Sequence, residues 1–290
     1  MRKHQIALAA SAVLALALAA CSSGGDHSER SGPASSGTSI SHIHGLGIAP
    51  ADKRLYVATH EGVFTPDKSG RPQRVGDSKD DFMGFTVAGG KTFLASGHPA
   101  PGSDAPANRG LIESSDAGTT WKTKSLAGEV DFHALDYAKG TIYGYDSTNG
   151  VLRVSEDGIH WENRAELQAL DIAVNPTDPD MILATTADGI AQSTDGGKTF
   201  SSGKQPTPAF VSWAAKDALY SIDTSGALHR STDGGTTWKV TGVVPGGRPQ
   251  ALTAVDARHV LAATEGGVYE SKNGGRSFAK RLAAESSDGH

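Results

Sequence analysis

Five of the chain's 11 histidines, His42, His44, His60, His98 and His133, fall between residues 42 and 133. Imidazole ligates transition metals and titrates near neutrality, so such a group can hold a metal, bond a polar ligand or sense pH. His42 and His44 stand two apart, which on a strand turns both to one face. Met83 would add a soft thioether suited to copper, whereas an acidic residue such as Glu61 would add a carboxylate suited to zinc. Their spacing fits no regular zinc pattern, so only the fold can bring them together. Three uses stay open at this point: a copper or zinc site, a metal-free ligand site, and a solvated polar lining. His160, His229 and His259 read as structural, and His27 and His290 lie in the tails. No HExxH helix, nucleophile elbow or phosphate-binding glycine loop occurs. A hydrolytic carboxylate pair, such as Glu61 with Asp146 or Glu265, would need a separation of about 5–10 Å that sequence does not supply. No catalytic residue is assigned.

The elements that must position these side chains show as a repeat. Ser114–Trp121, Ser193–Phe200, Ser231–Trp238 and Ser271–Phe278 share one pattern, and Ser155–Trp161 is a version one residue shorter. Their third positions are Asp116, Asp157, Asp195, Asp233 and Asn273. Successive copies start 41, 38, 38 and 40 residues apart. A period near 40 with short strands between turns is the signature of a propeller, one four-stranded sheet per blade. Inner strands are expected at His42–Ala49, Asp81–Ala88, Asp131–Ala138, Leu167–Val174, Ala209–Ala215 and Gln250–Val255. Six second strands follow them, the first at Leu55–Thr59, and six third strands, the fourth at Gly189–Ser193 and the sixth at Gly267–Ser271. The expected fold is an all-β, six-bladed propeller over residues 40–283, with the first blade keeping its strands but carrying Pro66–Gly70 where a repeat turn would be.

The repeats resemble the Asp-box of the sialidase-like (BNR-repeat) superfamily, Ser-x-Asp-x-Gly-x-Thr-Trp, and the resemblance covers the whole repeat region. Asn273 and Phe278 depart from it in the last copy. The resemblance implies that the boxes are structural hairpins between outer strands, remote from any active site. It also implies a test for sialidase chemistry, which uses three arginines to grip a carboxylate. The first inner strand, His42–Pro50, contains no arginine, and only Arg109 and Arg248 are placed to approach the axis. No arginine triad can be assembled. Asp-box propellers that lack catalytic residues resemble the photosystem-assembly and sortilin-type docking platforms.

The box turns join strands three and four, so the opposite face carries the entries to the inner strands and the loops from strand two to three. His42, His44, His60, Glu61, Met83, His98, His133 and Asp146 are all expected there. A Pro/Gly-rich loop, Gly97–Arg109, lies on the same face, with His98 and Asp104 expected to point inward.

Residues 1–20 have a basic start, an apolar run from Ile6 to Ala20 and then Cys21, which resembles a bacterial lipoprotein signal with Cys21 as the lipidated residue. Residues 21–39 continue as a Ser/Gly-rich tether and residues 284–290 as a disordered tail. Cys21 is the only cysteine, which excludes a disulfide framework and a thiolate zinc site. A net charge of −5 without Lys/Arg clusters excludes nucleic-acid binding. The sequence therefore predicts a monomer anchored to the outside of the bacterial cell membrane, acting as a binding module for a protein, glycan or metal. The alternative is a glycoside hydrolase of non-sialidase chemistry.

Overall fold

The computed structural model describes residues 40–284. The expected signal, Cys21, the tether and the tail from residue 285 onward lie outside the described residues. Within them the chain forms six antiparallel sheets, each made of consecutive strands. Blade one holds β1 (Ile43–Ile48), β2 (Leu55–Thr59), β3 (Gly62–Pro66) and β4 (Pro72–Arg74). Blade two holds β5 (Asp81–Gly89), β6 (Thr92–His98), β7 (Leu111–Ser114) and β8 (Lys122–Ser125). Blade three holds β9 (Phe132–Ala138), β10 (Thr141–Asp146), β11 (Val151–Ser155) and β12 (Glu162–Glu166). Blade four has three strands, β13 (Asp171–Val174), β14 (Ile182–Thr186) and β15 (Gly189–Ser193). Blade five holds β16 (Phe210–Trp213), β17 (Leu219–Ile222), β18 (Ala227–Ser231) and β19 (Lys239–Val243). Blade six holds β20 (Pro249–Ala254), β21 (Val260–Thr264), β22 (Gly267–Ser271) and β23 (Ala279–Ala283). The architecture is a six-bladed β-propeller.

Blade four departs from the expected four strands. After its box the chain pairs only locally: Ser201 N donates to Gln192 O at 2.9 Å, and Ile190 and Lys204 form one isolated bridge. Two prolines, Pro206 and Pro208, follow at once and have no N–H to extend a ladder.

Each second strand is sandwiched between neighbouring sheets, and so β2, β17 and β21 are buried along their whole length instead of alternating. The core is accordingly divided into six apolar clusters, one at each seam between adjacent blades. The ring closes at the seam where Ile43, Leu46 and Val57 of blade one meet Ala251, Leu261 and Ala263 of blade six. Among the described residues no strand is exchanged to close it. Close approach at the axis demands small residues: a Cβ on Gly45 would lie 2.8 Å from the Phe85 Cβ in the next blade.

The boxes sit between the third and fourth strands. In blade five Ser231 Oγ donates to Asp233 Oδ1 at 2.8 Å and accepts from Gly235 N at 2.9 Å. Asp233 also accepts from Thr237 N at 2.9 Å and Thr237 Oγ at 2.6 Å. Asp116 and Asp195 repeat this network. In the shorter copy His160 Nδ1 replaces the threonine hydroxyl and meets Asp157 at 2.7 Å. Asn273 retains the role by accepting from Ser277 N at 3.0 Å. Blade one has lost the box but not its device, since Asp67 accepts from Ser69 N at 2.7 Å and Arg71 N at 2.9 Å.

Candidate functional site

At the opposite end of the blades the inner strands are irregular, and the irregularities recur. The β1–β2 register runs Ile43↔Thr59 and then Gly45↔Ala58, leaving His44 as an extra residue. In blade two Met83 is skipped between Phe82↔Gly97 and Gly84↔Ser96. In blade three His133 is skipped between Phe132↔Asp146 and Ala134↔Tyr145. In blade six Gln250 is skipped between Pro249↔Thr264 and Ala251↔Ala263. A β-bulge leaves one residue out of the ladder and re-aims its side chain. His44, Met83, His133 and Gln250 are thus equivalent positions, one per blade. Blades four and five enter without a bulge.

The bulge in blade one brings three histidines and a carboxylate together. His44 Nε2 and His60 Nε2 face each other at 3.3 Å, and the His42 ring lies 4.7 Å from His44 and 5.3 Å from His60, centroid to centroid. Asp81 of blade two reaches across the seam, with Oδ2 at 2.9 Å from His60 Nδ1 and Oδ1 at 3.7 Å from His44 Nε2. A carboxylate only accepts, so His60 Nδ1 carries a proton toward Asp81, and Nε2 is the ring nitrogen turned toward His44. Asp81 Oδ1 is buried and has no hydrogen-bond partner. The available ligand atoms of His44, His60 and Asp81 all lie within 4.8 Å of one another.

Burial, reinforced by the neighbouring His42 and His60, pushes the His44 imidazole down to about 3. His42 is lowered for the same reasons, burial first and then His60. His44 is consequently a neutral base with a free lone pair at physiological pH, the form that metals require. Gln250 steadies this corner, its Nε2 lying 3.3 Å from His42 Nδ1 while its Oε1 accepts from Ile43 N at 3.1 Å.

His98 and His133 lie around a second carboxylate. Asp131 Oδ2 is 2.7 Å from His133 Nε2 and 3.5 Å from His98 Nε2. The Asp131 hydrogen bond raises the His133 pKa against the opposing effect of burial.

Other expected site residues have different partners. Glu61 accepts from Ser41 Oγ, leaving Oε2 buried and unpartnered. Asp146 is fully buried and does not face a ligand: its carboxylate holds Arg153 at 2.8 Å, Asn149 Nδ2 at 2.8 Å and Thr148 N at 3.1 Å. Arg109 pairs with Asp80, which pins the Gly97–Arg109 loop to blade two, and Asp104 is exposed. His229 and His259 bind Asp223 at 3.1 Å and Glu270 at 2.7 Å.

Below the histidines runs an axial cavity of about 510 Å³ whose lining includes His44, His133, Asp136 and Asp171. Asp136 and Asp171 stitch neighbouring blades by accepting from Val174 N at 2.7 Å and Val211 N at 2.9 Å. Burial lifts their carboxyls to about 6 and about 7.

Asp81 and Asp131 were absent from the sequence-derived set. One signal for the aspartates was available, because Asp81-Phe82 and Asp131-Phe132 both open an inner strand. The bulges have no such mark in the sequence.

The chain matches no protein-family model and no curated relative. Solved structures share its fold. A GH74 xyloglucanase from Xanthomonas campestris is 17% identical with a TM-score of 0.56, and the match covers 83% of this chain. This chain spans 38% of the xyloglucanase's length. A proposed gluconolactonase is 12% identical with a TM-score of 0.62, covering 85% of this chain and 91% of that one. Virginiamycin B lyase from Staphylococcus aureus, in a catalytically inactive form with quinupristin, is 11% identical with a TM-score of 0.55, covering 84% of this chain and 86% of that one. At such identities the likeness defines a class, the six-bladed β-propellers, and no activity within it.

Proposed function

We propose that the protein is a metal-binding module, anchored through a lipidated Cys21 outside the cytoplasmic membrane, that takes up one copper or zinc ion at His44, His60 and Asp81. The observation that carries this reading is the pair of imidazole Nε2 atoms facing each other at 3.3 Å beside a buried carboxylate oxygen with no partner. Tetrahedral zinc with Zn–N bonds of about 2.0–2.1 Å separates its nitrogen ligands by about 3.3–3.4 Å, so these two nitrogens already stand a chelate's distance apart. The Asp81–His60 contact has the form of a carboxylate that orients a metal-ligating histidine. A metal would also satisfy the orphaned oxygen, whose isolation otherwise costs about 1–3 kcal/mol. His42, Glu61 and the cavity beneath lie beside this group and are available to a polar ligand or a partner docking on the same face.

A hydrolase built on Glu61 and Asp146 is not favoured, since Asp146 is wholly occupied by Arg153 and its own turn. The test is zinc and copper content, by equilibrium dialysis and elemental mass spectrometry, on the untagged full-length chain in detergent. The double variant His44→Gln/His60→Gln should lose one equivalent while keeping its melting temperature. Unchanged stoichiometry in that variant would refute the reading.

A further inference from the structure

The blade-one site has a counterpart one step around the ring. The first site joins the residue after a second strand, His60, to the residue that opens the next blade's inner strand, Asp81. The same two positions one blade further on are His98, at the end of β6, and Asp131, immediately before β9. The register supports the equivalence, because Asp81 pairs with His98 in blade two, and the blade-one ladder begins at Ile43↔Thr59, just inside His42 and His60.

From this repetition we infer that His98, Asp131 and His133 form a second binding site for a divalent transition metal, so that the axial mouth holds two ions side by side. It builds on the metal reading of the first site and extends it to residues that reading does not use.

Three observations carry the inference. First, His98 Nδ1 lies 3.0 Å from the Ala107 carbonyl oxygen. A carbonyl only accepts, so Nδ1 carries a proton there, and Nε2 is the ring nitrogen left facing Asp131 Oδ2, 3.5 Å away and beyond ordinary hydrogen-bond length. That nitrogen and that carboxylate oxygen are both metal-ligand atoms, and a cation between them would join the two. Second, the Asp131 side chain is only 9% exposed, and its Oδ1 has no hydrogen-bond partner. Third, His98 and His133 are 41% and 38% exposed, so the buried carboxylate lies beneath two accessible imidazoles and an ion can reach it from solvent. His133 Nε2, now 2.7 Å from Asp131 Oδ2, would release its proton to solvent and ligate in its place. The Ala107 contact also explains the Gly97–Arg109 loop, whose backbone sets the tautomer of a ligand.

Zinc titrated into the untagged full-length chain, with ¹⁵N-labelled histidines read by NMR, addresses both sites without a variant. Two equivalents are expected, with the imidazole nitrogens of His98 and His133 shifting for one and those of His44 and His60 for the other. The variant His98→Gln/His133→Gln should then retain one equivalent, with shifts confined to His44 and His60. One equivalent in the wild type, with His98 and His133 unmoved, overturns the second site and leaves the first standing. Shifts at His98 and His133 with none at His44 and His60 do the reverse. No zinc bound at all defeats both.

Discussion

The two ends of the same blades use aspartate in opposite ways. At the box end, Asp116, Asp195 and Asp233 each accept from a serine hydroxyl, a backbone N–H and a threonine hydroxyl. These bonds hold Asp195 and Asp233 at about 2 and lower Asp116 as well. At the mouth, Asp81 and Asp131 each leave one buried oxygen without a partner. A group that is fully bonded within its own turn has nothing left to offer a ligand. A group left unsatisfied stores a cost that a ligand can relieve. Residue type alone therefore does not separate staple from site, and the state of each oxygen does.

The largest expected effect lies at the box end. Trp238 packs on the seam cluster between blades four and five and donates from Nε1 to Gly235 O at 3.0 Å. Trp238→Ala should cost about 3–5 kcal/mol, as for other packed aromatics, in urea unfolding, while metal binding by the folded fraction stays as in the wild type. Loss of metal without loss of stability would break the division between the ends. Asp233→Ala should cost less in the same measurement but remain a clear loss, because it strands hydrogen-bond donors at a turn where water replaces only part of what the carboxylate supplied.

These two effects concern the part of the molecule that was legible in the sequence. Ser-x-Asp-x-Gly is a local device: every bond in it closes within a few residues, so spacing along the chain is spacing in the turn. The blade count followed from that period, and β2, β15 and β22 begin and end where the pattern placed them. The mouth is different in kind. His60 meets Asp81 and His98 meets Asp131 across seams between blades, and no local pattern encodes a contact across a seam. The bulges at His44, Met83, His133 and Gln250 add a residue without changing the apolar rhythm, so alternation is blind to them. Asp146 shows the converse error. A carboxylate beside the mouth looked available until Arg153, seven residues on and in the paired strand, proved to own it.

A smaller effect separates the axis from both ends. Asp171 is lifted to about 7 by burial, far above the unfolded value of about 3.9. Between those values the folded chain holds a proton that the unfolded chain has released, so stability falls as pH rises through that window and levels off above 7. Asp136 acts in the same sense, up to about 6. His44 opposes them: its lowered pKa makes the unfolded chain the better proton binder between about 3 and 6.5, so its contribution grows with pH. Asp171→Asn should therefore flatten the decline of melting temperature between pH 4 and 7. An unchanged profile would mean that water in the cavity solvates the carboxylate.

The smallest change in stability is expected where the change in function is greatest. Asp81→Asn keeps an oxygen to accept from His60 Nδ1, now at 2.9 Å from the carboxylate, and replaces the orphaned oxygen by an amide 3.7 Å from His44 Nε2. The amide can donate to that lone pair, so the substitution removes an unsatisfied buried acceptor and supplies a bond. Unfolding free energy should stay within about 0.5 kcal/mol of wild type or rise, the opposite sign from Asp233→Ala. Zinc binding at the blade-one site should nonetheless fall by at least tenfold, because a neutral amide is a poor metal ligand and withdraws the lone pair of His44. Urea unfolding and zinc titration on the same preparation read both quantities. If Asp81→Asn destabilises the protein as much as Asp233→Ala does, Asp81 is a staple like the box aspartates, and the contrast between the two ends collapses.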